Sequence, residues 1–153
     1  MVKDAFDYLV QGVYIVSTEF ENQLSGLTAA WVMQSSFKPA MLAVSLGPTR
    51  RTAELIEKSG KFAIQILDES QRQLAELFGY YSSRNFDKFS KVKWSKSEKL
   101  GLPIIEGVLG YFECELEGKF VSGDHFIYNG RIVNHKVFRQ NGKPMIFLMR
   151  DWF

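Results

Sequence analysis

Three groups of residues in this chain have the types and spacing to do chemistry. The first is Pro48-Thr49-Arg50-Arg51-Thr52. Proline marks the chain's entry, Thr49 is the expected N-cap, and a helix is predicted to follow. A helix start carries free N–H groups and a partial positive charge, which suits a phosphate. Arg50 and Arg51 add full charge and forked donors, and Thr52 adds a hydroxyl. The same five residues would also suit an ordinary capped helix with two solvated arginines, so the pattern alone leaves both readings open. The second group is GLTAAW (residues 26–31), whose small residues let a flat ligand lie against backbone. The third is His125 in Gly123-Asp124-His125, one of two histidines. It is either a hydrogen-bond donor to a ligand or a turn residue satisfied by Asp124 or a carbonyl.

What is missing narrows the chemistry further. Neither His125 nor His135 pairs with cysteines or a carboxylate cluster at ligand spacing, so no protein-bound metal is expected. No glycine-rich dinucleotide fingerprint follows a strand, and there is no P-loop. A Rossmann-type dinucleotide site is therefore not expected. No nucleophile elbow or Ser-His-Asp order occurs, which disfavours hydrolysis.

The elements that must position these groups are mostly strands. Strands are predicted over residues 13–18, 26–32, 41–46, 61–67, 110–121, 126–138 and 144–149 from β-branched and aromatic content and alternation. A polar turn over 19–25 makes the first two a hairpin. Helices are predicted over 2–10, with Ala5, Phe6, Leu9 and Val10 on one face, and over 49–58, stopped by Ser59-Gly60. A third starts at Asp68 with Gln71 in a capping-box arrangement and ends at Gly79. Residues 80–102 are polar, basic and irregular, either a mobile lid or a folded binding loop. Strands with about three inserted helices predict a β-barrel with helical decoration.

The 153 residues fit one domain that can bury its own core. Aromatic residues at 14%, thirteen of them Phe, suit a β-rich core or a planar ligand. A net charge of +2 indicates no broad surface for nucleic acid. Cys114 is the single cysteine and is expected as a small half-buried hydrophobe. No apolar run has the length of a membrane span and no signal-peptide pattern opens the chain, so a cytoplasmic location is expected.

Five segments together resemble the flavin reductase family of FMN-binding split barrels, which includes ferric reductases and the small components of two-component monooxygenases. They are GVYIVST (residues 12–18), GLTAAWVMQSSFKPAMLAVSL (26–46), RTAELIEKSGKFAIQIL (51–67), DKF (87–89) and GDHFIYNGRIV (123–133), in the family's order over nearly the whole chain. The resemblance implies a mainly β, FMN-binding split β-barrel (Greek key) with about three peripheral helices, one domain over 1–153, working as a homodimer. It implies an FMN-dependent NAD(P)H oxidoreductase that takes hydride from NADH or NADPH at flavin N5 and passes electrons to a small-molecule or protein acceptor. The alternative is an FMN-binding electron carrier without direct NAD(P)H oxidation.

By the same resemblance, Thr28, Ala29, Ala30 and Trp31 lie along the isoalloxazine, and Ser45 and Leu46 lie beside the ribityl chain. Arg51 and Thr52 contact the phosphate, with Arg50 as the competing arginine. Arg84, Lys88 and Phe89 belong to a loop that approaches the cofactor, often from the neighbouring subunit. His125 is the catalytic-site residue, facing the flavin and the nicotinamide. Trp31 departs from the family's usual small or hydroxylated residue. It packs on the dimethylbenzene edge, partly covers the slot, or belongs to the core.

Overall fold

The computed structural model describes residues 2–152, and in it the expected first helix is cut short. α1 (Val2–Phe6) has five residues, and Phe6, Leu9 and Val10, expected on a buried face, are exposed. So short a helix gains too little from its own hydrogen bonds to persist without a packed face. The chain turns at Tyr8 and Leu9 into β1 (Gln11–Gly12).

β2 (Tyr14–Phe20) and β3 (Gln23–Ala29) form a hairpin in register from Tyr14↔Ala29 to Phe20↔Gln23. Its two turn residues, Glu21 and Asn22, hold φ of 49° and 66°, the geometry whose twist matches that of the flanking strands. Segment 19–25, predicted as a loop, is therefore mostly strand. The predicted strand 26–32 divides instead. β4 (Val32–Phe37) pairs with β5 (Ala40–Leu46), and the crossing is stitched where the Trp31 carbonyl accepts the Ser45 N–H at 3.0 Å.

α2 (Arg51–Ser59) starts with Arg50, not Thr49, at its N-cap and has no side-chain cap. Ala53, Leu55 and Ile56 are its buried face, and Gly60, at φ 69°, ends it by donating to Ile56 O at 2.8 Å. β6 (Lys61–Ile66) follows. The third helix, α3 (Arg72–Tyr80), begins four residues later than predicted. Gln71 Oε1 does accept the Asp68 N–H at 2.9 Å, half of the capping box. Gly79 lies inside α3, facing Thr28 of β3, and does not stop the helix.

Of the two forms open to residues 80–102, the folded one is observed. A 3-10 turn (Lys88–Lys91) is followed by β7 (Trp94–Lys96), which pairs with β8 (Pro103–Ile105). Buried Glu113 organises the connection between them. It accepts the Ser97 hydroxyl, the Leu100 and Lys99 N–H groups at 2.6 and 3.1 Å, and the Asn134 amide at 2.8 Å.

β9 (Gly110–Ser122) and β10 (His125–Val137) form a long hairpin whose register shifts at Asn129/Gly130 and at Ile132/Asn134, bulges that bend the pair. Seven strands run in the order β3-β2-β6-β9-β10-β5-β4 with every pair antiparallel. The predicted last strand, 144–149, is reduced to β11 (Ile146–Phe147), paired with β1, before α4 (Met149–Trp152).

Both faces of the sheet are apolar, because alternating residues of the inner strands each meet a covering element. Val16, Val44, Phe62, Ile64 and Tyr128 gather on one face with Ala53 and Ile56 of α2. Ile15, Ala63 and Tyr111 lie on the other with Phe78 of α3, Phe89 and Leu102. Cys114 is wholly buried in the first cluster, and burial followed by the Glu113 charge pushes its thiol up to about 12, leaving it an inert core residue. The result is a mainly β split barrel with four α-helices among the described residues, one more than predicted.

Candidate cofactor site

A cavity of about 350 Å³ opens where β3 leaves the sheet. Thr28, Ala29, Ala30 and Trp31 line one side, and Ser45, Leu46, Gly47, Arg50 and His125 line a second. Ala75, Gly79 and Tyr80 of α3 close it together with Phe147, Met149 and Trp152. The predicted second group and the end of β5 thus meet because the barrel curls its two edges together at Trp31.

The sheet ends at β3 on this side, so among the described residues one edge of that strand has no neighbouring strand. Which backbone groups face outward follows from two contacts. Gly26 O accepts Lys88 Nζ at 2.9 Å and Ser83 Oγ at 3.1 Å from outside the sheet. Across β2, Val13 O accepts Leu67 N–H, so residues 13, 15 and 17 turn toward β6. Their partners Thr28 and Gly26, opposite Ile15 and Ser17, must then turn away from β2. Thr28 therefore points its N–H and C=O toward the open edge, and alternation carries the same direction to Ala30. The cavity combines edge donors, apolar walls and, among the described lining residues, one fixed positive charge, on Arg50. That donor set fits a planar, hydrogen-bonding ring with an anionic tail.

The first turn of α2 separates the residues predicted to act together. Successive residues on a helix point about 100° apart. Arg50 faces the cavity, while Thr52 points inward, 2% exposed, sharing its hydroxyl with Ser25 Oγ at 2.8 Å. Arg51 turns to the opposite side, bonded to Gln23 and 3.6 Å from Glu54. There it lines a separate depression with Arg84, Lys88 and Phe89. Arg84 donates to Thr49 O at 2.8 Å and pairs with Glu54. Phe89 is a core residue, edge-on to Phe78 at 5.2 Å. Within this subunit Arg51, Thr52, Arg84, Lys88 and Phe89 thus do not line the cavity that Thr28–Trp31 line. The cause is helical rotation at α2 and the docking of the 3-10 turn into the core.

His125 opens β10 at the cavity's rim. Its ring lies 4.8 Å from that of Trp31, and its Nδ1 is 2.7 Å from Asp124 Oδ1. The hydrogen bond from His125, followed by its charge, holds the exposed Asp124 carboxyl below its ordinary value. Trp31 is 44% exposed, which excludes the core role and leaves it as a cavity wall. Ser35 is turned away from the site, donating to Asn129 Oδ1 at 2.8 Å.

Sequence reasoning missed the contributions of α3 and of the chain's last elements. Trp152 is held by the Arg72 guanidinium, 3.5 Å from the ring centroid, and Arg72 also donates to Asp151 O at 3.2 Å. The sequence signal was an aromatic residue beyond the last predicted strand, with no pattern to say what it would meet.

Comparison with known proteins agrees with this fold. Residues 6–152 match the family described as flavin reductase like domain. The chain is 30% identical over 142 residues to the flavin-dependent monooxygenase reductase subunit HsaB of Mycobacterium tuberculosis (strain CDC 1551 / Oshkosh), covering 92% of this chain and 74% of that one. Nitrilotriacetate monooxygenase component B from Mycobacterium thermoresistibile superposes with a TM-score of 0.87 at 28% identity, covering 96% and 80% of the two chains. An FMN-binding protein from Thermus thermophilus, solved with bound 1-cyclohex-2-enone, gives 0.85 at 25% identity, covering 95% and 85%.

Proposed function

Because this chain belongs to the flavin reductase like domain family, we propose that it is an FMN-dependent NAD(P)H oxidoreductase, reducing flavin with a nicotinamide donor and passing the electrons to an acceptor. One observation carries the reading: the open edge of β3 faces an apolar cavity with Arg50 at one end and His125 at its rim. A bound flavin supplies the redox chemistry, accepting hydride and releasing electrons, and the protein supplies geometry.

The residues divide that task. The outward N–H groups of Thr28 and Ala30 would donate to the rim of the ring, where such donors favour a more negative, reduced form. Ala29 and Trp31 bound the ring, and Ser45, Leu46 and Gly47 flank the ribityl path. Arg50 neutralises the phosphate, which makes FMN a better occupant than unphosphorylated riboflavin. Asp124 accepts a hydrogen bond from the Nδ1–H of His125, which would leave Nε2 as the nitrogen free to orient a nicotinamide at the cavity's mouth. No side chain would need to abstract a proton, since a flavin and a nicotinamide held there would exchange hydride without one, and His125 would serve to orient the donor. Exposed Met33 and Phe37 on β4, with Phe120 and Val121 on β9, supply apolar surface for a homodimer.

The test is the absorbance spectrum of purified protein reconstituted with FMN, before and after anaerobic NADH or NADPH. Bleaching much faster than in a free-FMN control is expected. A bound flavin reduced by dithionite but by neither nicotinamide would make the protein an electron carrier. Failure to bind flavin would overturn the reading altogether.

A further inference from the structure

The edge of β3 is open along only part of its length. Two residues before Thr28, the 3-10 turn Lys88–Lys91 is seated on it. Lys88 is 2% exposed, and its Nζ donates to Gly26 O at 2.9 Å and to Phe78 O, in the last turn of α3, at 2.8 Å. A Cβ on Gly26 would come within 3.1 Å of the Phe78 ring and 3.2 Å of the Phe89 ring, so the missing side chain at Gly26 leaves room for both α3 and the turn to pack closely on the strand. Beyond this point the edge lines the cavity. β3 and α3 are joined once more, where Thr28 Oγ1 donates to Ala75 O at 2.6 Å. β3 and α3 are the two walls between which the ring system must fit. One buried ammonium thus ties them together where the strand's edge passes from covered to open.

We propose that Lys88 is a positioning residue for the flavin, setting the spacing of β3 and α3 around its ring system without contacting its phosphate. The proposal rests on the flavin reading above. The electrostatics agree with a group committed to the protein: burial, followed by the nearby Arg50 charge, pushes the ammonium down to about 8.

The experiment compares the affinity of FMN with that of riboflavin, by quenching of flavin fluorescence, and records the visible circular dichroism of the bound flavin. Lys88→Met removes the donors at similar length, Lys88→Arg keeps a cationic donor, and Ser83→Ala removes the other side-chain donor to Gly26 O. Cooperative melting establishes that each variant is folded. Lys88→Met is expected to weaken both ligands by the same factor, about tenfold, the equivalent of one net hydrogen bond of ~1.4 kcal/mol, and to alter the dichroism. Ser83→Ala should cause a smaller loss, again equal for both ligands, and Lys88→Arg should recover part of the affinity for each. A Lys88→Met loss clearly greater for FMN than for riboflavin would mean a direct phosphate contact and overturn the proposal. Unchanged affinities in the folded variant would overturn it too, leaving Lys88 with stability alone. Where Lys88→Met does not melt cooperatively, the same comparison is read from Ser83→Ala and Lys88→Arg, and unequal or absent losses in both overturn it. Wild-type protein that binds neither flavin overturns the functional reading and this inference together. Binding by wild type with unmoved variants overturns this inference alone.

Discussion

Replacing Arg50 with Met tests whether the phosphate is held at the cavity or on the other side of α2. Arg50 is the fixed charge among the described cavity-lining residues, at the N-cap of α2 where backbone N–H groups are also unpaired by the helix. A hydrogen bond to a charged group is worth about 1.5–3 kcal/mol, so FMN should bind roughly ten- to 150-fold more weakly. Riboflavin has no phosphate and should lose little. The parallel Arg51→Met change should leave both ligands nearly unaffected, since Arg51 is engaged by Gln23 and Glu54 away from the cavity. Titration of flavin fluorescence with each variant measures all four effects. A second readout comes from Lys88, whose ammonium is lowered partly by the Arg50 charge. Removing Arg50 should raise the Lys88 pKa and move its titration to higher pH. Equal losses of FMN and riboflavin would show that Arg50 acts on the shape of the cavity. A larger FMN loss from Arg51→Met than from Arg50→Met would refute the assignment made from helical rotation.

Three other outcomes follow from particular contacts. His125→Ala should leave FMN affinity unchanged and slow reduction by NAD(P)H, while dithionite reduction is spared; about 0.5–1.5 kcal/mol for one positioning hydrogen bond means roughly two- to tenfold in stopped-flow rate. Glu113→Gln should destabilise the fold by ~3 kcal/mol, read as a lower denaturant midpoint at constant slope, because the amide keeps one acceptor oxygen and turns an NH2 group toward buried donors that had met a carboxylate. Burial alone would raise the Glu113 pKa, but hydrogen bonds from Ser97, Asn134, Leu100 and Lys99 outweigh it and hold it below the ordinary value. Its contribution is therefore present above the unfolded pKa and lost as pH falls through the folded one, a loss the variant should not share. Lys88 acts in the same direction at higher pH: from pH about 8 to its ordinary 10.5 the unfolded chain keeps a proton that the folded chain has released. Stability should rise with pH across that window in wild type relative to Lys88→Met, measured by denaturant titration.

The sequence by itself determined the elements with strong local signals. Alternation and β-branched content marked the strands from Val13, Lys61, Gly110 and Phe126, and Gly60 marked the end of α2, because burial on a pleated surface and left-handed backbone geometry are local requirements. Family resemblance brought Thr28–Trp31, Ser45, Leu46 and His125 to one site in advance, and they do line one cavity. Local signals failed where hydrogen bonding to a neighbour decides the outcome. Residues 19–25 became strand because β2 and β3 zip to a two-residue turn, and α1 stopped at Phe6 despite its apolar spacing.

Only the tertiary structure decided which side of α2 each polar residue serves. Arg50, Arg51 and Thr52 are adjacent in sequence, yet one faces the cavity, one an outer depression and one the core, since each step turns the helix by about 100°. The same holds for Lys88, a polar loop residue in sequence but a buried tie between β3 and α3 in the fold. It holds also for Trp152, which reaches the cavity from more than a hundred residues beyond Trp31 because β11 pairs with β1 and Arg72 of α3 holds its ring. A residue's role at such a site depends on which distant surface it meets, and that is set when the sheet curls and its edges close, not by its neighbours in the chain.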